Sequence, residues 1–174
     1  MTDQTGNPLQ SLTSNRDMLD RLMSRIPGFR GYVEYTEHYN ADRIVRMHLG
    51  RMLASVKDDV VRIQNGFVKA GVLDPVTECE SISLIIEKLI KKIESADFGA
   101  SSSFSHNTMK LDNAGRERIL TSDNSIVSSI DELQKITASA ADGTGTVFNA
   151  AAVSSSIRQI ERRFDERIKI ITGE

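Results

Sequence analysis

The chain has 174 residues, 39% hydrophobic and 26% charged, with a formal net charge of −2 and one cysteine. That is enough apolar material for one domain with a real core, and it excludes wholesale disorder. The near-zero charge nominates neither nucleic acid nor an anionic membrane as partner, Cys79 alone cannot form an intrachain disulfide, and no apolar run approaches the ~20 residues of a membrane span.

Residues 1–13 are polar, with Gly6 and Pro8, and read as a flexible tail ahead of a single helical-bundle domain over 14–174. The N-terminus lacks the apolar core of a signal peptide, so the expected location is the cytoplasm. Ser14 or Asn15 can cap a short helix running to about Arg25, with Met18, Leu19, Leu22 and Ile26 as its apolar edge. Pro27-Gly28 breaks it.

The spacing next predicts one long central helix over 33–70, about 57 Å at 1.5 Å per residue. Its apolar positions are Val45, Leu49, Met52, Val56, Val60, Ile63, Phe67 and Ala70, nearly a coiled-coil seam with a stutter between Val56 and Val60. Arg43, Arg46, Arg51, Lys57, Asp58, Asp59 and Arg62 read as its solvated face. Gly50 can mark a close helix crossing, Gly66 fraying, and Gly71 a natural stop.

Asp74 is a good N-cap and Pro75 a good first residue for a helix over 75–97, striped by Cys79, Ile82, Ile86, Leu89, Ile93 and Ala96. The short connection makes it antiparallel to the long helix. A serine-rich stretch around 100–110 reads as a mobile loop, and 111–119 as at most a short helical turn. Ser122 or Asp123 then caps a helix to about Ala140, with Ile126, Ile130, Leu133 and Ile136 inward. The last helix, 147–171, turns Val153, Ile157, Ile160, Phe164, Ile168 and Ile171 inward. Its other faces carry Arg158, Glu161, Arg162, Arg163, Asp165, Glu166, Arg167 and Lys169, a mixed charged surface. The fold expected is all-α: an antiparallel bundle of four main helices plus a short N-terminal one.

No reaction centre emerges. Glu34, Glu37, His38 and Asp42 at the start of the long helix, with Glu87 and Glu94 on the next, are the nearest approach to a bundle metal site, with Glu34, His38 and Glu87 as its ligands; but di-metal bundles want Glu-x-x-His on two helices, and Glu34 and His38 are four apart with no second pair. Acids complementing a helix N-terminus explain them as well. Arg43, Arg46, His48 and Arg51 could hold phosphate but spread around more than one face. His106 beside Ser103 and Ser105 lacks an orienting acid, Cys79 sits on an apolar stripe, and Gly143 and Gly145 lack the lysine of a phosphate loop. No cofactor, metal or catalytic residue is therefore expected.

The richest signal is aromatic. Phe29, Tyr32, Tyr35 and Tyr39 are four of the nine aromatics and fall within eleven residues. Tyrosine joins apolar area to a polar tip and is enriched at interfaces. Covering the end of the bundle is the alternative use of these rings.

Pro27-Gly28-Phe29-Arg30-Gly31-Tyr32, Ala41-Asp42-Arg43 and Ala96-Asp97-Phe98-Gly99 resemble an uncharacterised prokaryotic helical family. That family opens on Pro-Gly-Tyr-x-Gly-Tyr, followed by an Ala-Asp-basic step and an Ala-x-Tyr-Gly-Tyr turn. The likeness covers about residues 25–103. It departs at Phe29 and Phe98, where the family has tyrosine, and at the serines after Gly99. It implies a small helical protein that works with partners, and no catalytic residues.

The expected function is a non-enzymatic interaction or assembly module, a homo-oligomer or part of a complex, with Phe29, Tyr32, Tyr35, Tyr39, Ile63 and Phe67 as candidate interface. A metal-dependent bundle enzyme and a peripheral membrane adaptor are the alternatives.

Overall fold

The computed structural model describes residues 8–26, 38–96, 113–143 and 147–172. They form five helices: α1 Pro8–Arg25, α2 His38–Ala70, α3 Asp74–Ser95, α4 Asn113–Ala141 and α5 Ala150–Thr172. Among the described residues there is no strand, and no helix is long and apolar enough to cross a membrane. The all-α class, the four main helices and the extra N-terminal helix are as the periodicity requires.

The helices pack as two hairpins, α2–α3 and α4–α5. Each of α2 and α5 touches both α3 and α4, so α2 stands diagonally opposite α5, and α3 opposite α4. Within each hairpin the helices are antiparallel: Lys57 pairs with Glu87 and Gln64 with Glu80, while Arg163 reaches Ser125 and Ser129. Between hairpins they are parallel: Ser55 meets Gln134, Asp59 meets Thr137 and Arg62 meets Asp142. One end of the bundle thus carries both hairpin tips. The other carries the starts of α2 and α4 and the ends of α3 and α5. α1 lies along α4, with Asn124 donating to the Met18 carbonyl at 3.1 Å and Arg25 pairing with Asp131 at 3.4 Å. Leu22 and Ile26 bring α1 into the common core.

The seams keep a strict heptad register. The seam positions, all buried, step 42, 46, 49, 53, 56, 60, 63 on α2, 79, 82, 86, 89, 93 on α3, 123, 126, 130, 133, 137 on α4, and 153, 157, 160, 164, 167, 171 on α5, with Val45, Asp59 and Val127 buried beside them. Each alternates threes and fours, as packing around a shared axis demands. This corrects several expectations, the solvated reading of Arg46 and Asp59 among them. Leu53 takes the fully buried place that Met52 was expected to hold, which removes the stutter. Thr137 points inward and Ile136 is 44% exposed. Arg167 is buried, and Ile168 only packs against the core. Filling each such place with a leucine- or isoleucine-sized group stabilises by roughly 1.5–3 kcal/mol.

The ends of the elements show where local signals prevail. α1 begins at Pro8, so residues 8–13 are helix rather than tail. α3 begins at Asp74 after Leu73, with no side-chain cap, so Asp74 is not the cap expected of it. α4 is one unbroken helix from Asn113. Ser122 and Asp123 do not start it, because Thr121 and Asn124 turn their polar groups back onto the carbonyls of Glu117 and Leu120, and Asp123 turns inward. Asn149 does cap α5, its Oδ1 accepting from Ala152 N–H at 2.9 Å. The stretches 33–37 and 100–110, read as helix start and loop, lie outside the described residues.

Gly71 closes α2 at φ +72°, with the Val72 N–H reaching the Phe67 carbonyl at 3.0 Å and the Gly71 N–H reaching Val68 at 3.1 Å. That double bond is a Schellman stop, and it requires a left-handed residue. At Gly66 an added Cβ would meet nothing within 4 Å, and the residue lies mid-helix and exposed. Gly66→Ala is therefore expected to stabilise by about 0.5–1 kcal/mol. Gly71→Ala should destabilise by about 1 kcal/mol or more, because alanine disfavours that φ. Urea midpoints moving in opposite directions would confirm the pair of assignments; a loss of stability at Gly66→Ala would contradict the open site.

Candidate functional site

The most unusual chemistry lies inside the bundle, at the end where α2 and α4 begin. Asp42, Arg46, Asp123 and Arg167 occupy seam positions there and are all buried. Arg167 on α5 is 1% exposed, and its long side chain crosses the bundle diagonal. Its Nη1 donates to Asp42 Oδ1 on α2 at 2.7 Å, its Nε to Asp123 Oδ1 on α4, and its Nη2 to Asp123 Oδ2 at 3.4 Å. Asp42 Oδ2 also accepts from Arg46 Nε at 2.8 Å. Arg46 Nη1 donates onward to the α3 carbonyls of Glu94 at 2.8 Å and Ile93 at 3.4 Å. Those carbonyls belong to the last turn of α3, where a helix leaves acceptors without internal partners and favours a cation. Two carboxylates and two guanidiniums thus balance in charge and join all four main helices.

Burial pushes the Asp123 carboxyl above the ordinary carboxylate value, against the opposing pull of Arg167, and the nearby charge of Asp42 adds to that push. Burial also works against the charge of Arg167, but Asp123 and Asp42 outweigh it and hold the guanidinium more firmly protonated than usual. The planar fork of arginine suits a bridge between two carboxylates in a way no ammonium does.

A second polar insertion lies nearer the tips. Buried Asp59 accepts from Thr137 Oγ1 at 3.0 Å and from Arg62 Nη2 at 2.5 Å, and Gln134 donates to Ser55 at 2.9 Å. Between the parallel helices α2 and α4, these bonds select one register out of several that apolar contact alone would allow.

At the tips the two hairpins meet through Phe67 and Phe148, ring centroids 6.1 Å apart and tilted by 56°. Close to these two rings in the chain, Val68, Val72, Leu73 and Val147 are exposed, Leu73 by 68% and Val147 by 88%.

Of the expected interface residues, the described part of the structure places Ile63 and Phe67. Ile63 is buried and belongs to the core, and Phe67 is half-buried against Phe148. Phe29, Tyr32 and Tyr35, and the side chain of Tyr39, lie outside the described residues, as do Glu34 and the side chain of His38. Glu87 pairs with Lys57, which holds its carboxyl below the usual range. Among the described residues no three His, Cys, Asp or Glu side chains converge as metal ligands would. Arg43 and Arg51 lie on the exposed flank, but Arg46 does not. Cys79 is buried, and burial with the charge of Glu78 raises its thiol pKa, the opposite of an activated nucleophile.

His48 is half-buried, and burial followed by the charge of Arg51 lowers its pKa below 6.5, with Asp131 opposing. The folded protein therefore prefers it neutral. Its contribution to stability is present above about pH 6.5 and is lost as pH falls through the folded value. The urea midpoint should decline between about pH 7 and pH 5, and His48→Gln should flatten that decline. An unchanged slope in the variant would assign the decline to other groups.

No protein-family model matches the sequence, and no curated protein or solved structure matches it at a significant level.

Proposed function

We propose that the chain is a non-enzymatic helical interaction or assembly module of the cytoplasm, working as a homo-oligomer or within a complex. The exposed apolar residues of the hairpin tips support this reading: Val68, Val72 and Leu73 follow Phe67 in the chain, and Val147 precedes Phe148, its partner across the two hairpins. Several large apolar side chains exposed at one end of a bundle are what a partner site needs, whereas single exposed apolar residues need no explanation. Near the tips, the Asp59–Thr137 and Ser55–Gln134 bonds tie α2 to α4 across the two hairpins.

Light scattering at tens of micromolar, with and without Leu73→Lys and Val147→Lys together, tests the reading. Assembly that the double substitution weakens without loss of helical signal is the expected result. A strict monomer that also recovers no partner from cells would overturn the module. Tyr35→Ser with Tyr39→Ser separates the two ends: if only this second pair dissolves the assembly, the partner surface is the tyrosine segment and not the tips.

A further inference from the structure

Among the described residues, five lysine or arginine side chains are buried or half-buried: Arg46, Lys57, Lys92, Arg163 and Arg167. Four of them meet carboxylates. Arg46 and Arg167 share Asp42, Lys57 meets Glu87, and Lys92 meets Glu161 and Asp165. Arg163 alone does not. Its Nη1 donates to Ser125 Oγ and Ser129 Oγ, each at 2.6 Å, and to the Ser125 carbonyl at 3.2 Å. Its Nε and Nη2, the edge that forms a bidentate fork, have no partner among the described residues.

Two recesses border this one guanidinium along the α4–α5 seam, of about 590 Å³ and about 260 Å³. Thr121 and Ser122 line the larger, Ser128 and Ser156 the smaller, and Ser125 both. A positive group steadied by neutral hydroxyls, with its fork unused, is arranged as an oxyanion receptor rather than as a completed ion pair. The carboxylates in the linings, Glu117 and Glu166 in the larger and Glu132 in the smaller, narrow the ligand. They repel a bare, multiply charged anion but accept hydrogen bonds from hydroxyl groups. Arg118, at the rim of the larger recess, adds a second positive charge.

We propose that the α4–α5 seam is a binding site for a small hydroxylated metabolite bearing a phosphate or carboxylate, with that oxyanion on the free edge of Arg163. The carbon chain lies in the larger recess, and its hydroxyls meet Thr121, Ser122 and Glu166. This site is separate from the tips and does not depend on the assembly reading.

Calorimetric titration and arginine Nε–H nuclear magnetic resonance on the full chain test it with three probes: glycerol phosphate, malate and inorganic phosphate. Saturable binding of glycerol phosphate or malate, tighter than that of inorganic phosphate and shifting the Arg163 Nε–H signal, is the expected result; whichever of the two binds tighter identifies the oxyanion. Arg163→Gln should weaken that binding about tenfold or more, as loss of a charge-assisted fork implies, while Arg162→Gln on the exposed neighbouring face should leave it unchanged. Should Arg163→Gln fail to fold, the Nε–H shift in the unaltered chain decides. Absence of saturable binding by all three probes overturns the site, as does binding that Arg163→Gln leaves intact, or that Arg162→Gln weakens equally.

Discussion

Arg167→Met is expected to destabilise the bundle by about 3–5 kcal/mol, the cost of breaking a buried ion pair from one side. Methionine nearly matches the volume, so the loss is not one of packing. It comes from Asp42 and Asp123, which stay buried while the guanidinium that bridges them is gone. Asp42 retains Arg46, whereas Asp123 has no other cation within ion-pairing distance among the described residues. Arg167→Lys should recover only part, because an ammonium is a point charge and cannot present a fork to one carboxylate while reaching the other across the bundle. Arg162→Met, five residues earlier on α5 and exposed, should stay within about 0.5 kcal/mol. Chemical denaturation measures all three. Since whole domains are stable by only about 5–15 kcal/mol, the measurement belongs in a Gly66→Ala background if Arg167→Met alone is partly unfolded. A cost below about 1 kcal/mol would mean that Arg167 is solvated and the cluster is not a closed interior network.

That residue also marks where the sequence could be read and where it could not. The apolar stripes give four helices, their pairing into hairpins and most of the core, because burying a stripe is the main way such helices gain stability. Chemistry misleads when a charged side chain holds a seam position. Continuing α5 from Val153, Ile157, Ile160 and Phe164 by alternating fours and threes lands on Arg167, and continuing α2 backward from Leu49 lands on Arg46 and Asp42. Arg167 and Arg46 were assigned to solvent on residue type alone. The same rule moves the inward position of α4 from Ile136 to Thr137. Spacing was the available signal, and strict heptad continuation past a charge would have exposed the network. What spacing cannot supply is pairing: that Arg167 meets Asp42 across 125 residues follows from the order of helices around the axis, which no single helix encodes. The helix start at Asn113 was hidden for a different reason. Ser122, Asp123 and Asn124 form a cluster of cap formers, and only tertiary contacts decide whether such side chains end a helix or fold back along it.

Exchanging the whole network for apolar residues should have the opposite sign from losing one member. Asp42→Leu, Arg46→Met, Asp123→Leu and Arg167→Met made together are expected to leave stability unchanged or raise it by about 1–4 kcal/mol, because no charge is then left in the interior. The burial that pushes the Asp123 carboxyl upward is the visible part of what the native network bears. That push also makes the native protein relatively more favourable as pH falls through the folded value of Asp123, so the exchanged protein should lose this component of its pH dependence. The gain in stability has a structural consequence. Leucines and methionines allow α2, α4 and α5 to slide by a turn, whereas Arg167 reaches both carboxylates in one register only. The Asp59–Thr137 and Ser55–Gln134 bonds would still hold α2 against α4 near the tips. The slippage should therefore be confined to the other end, seen as broadened amide signals for residues 42–49, 89–95, 120–127 and 164–171, with sharp signals elsewhere. Uniformly sharp spectra together with raised stability would show that the network contributes nothing to register. A large loss of stability would show instead that the native ion pairs return more than their desolvation costs.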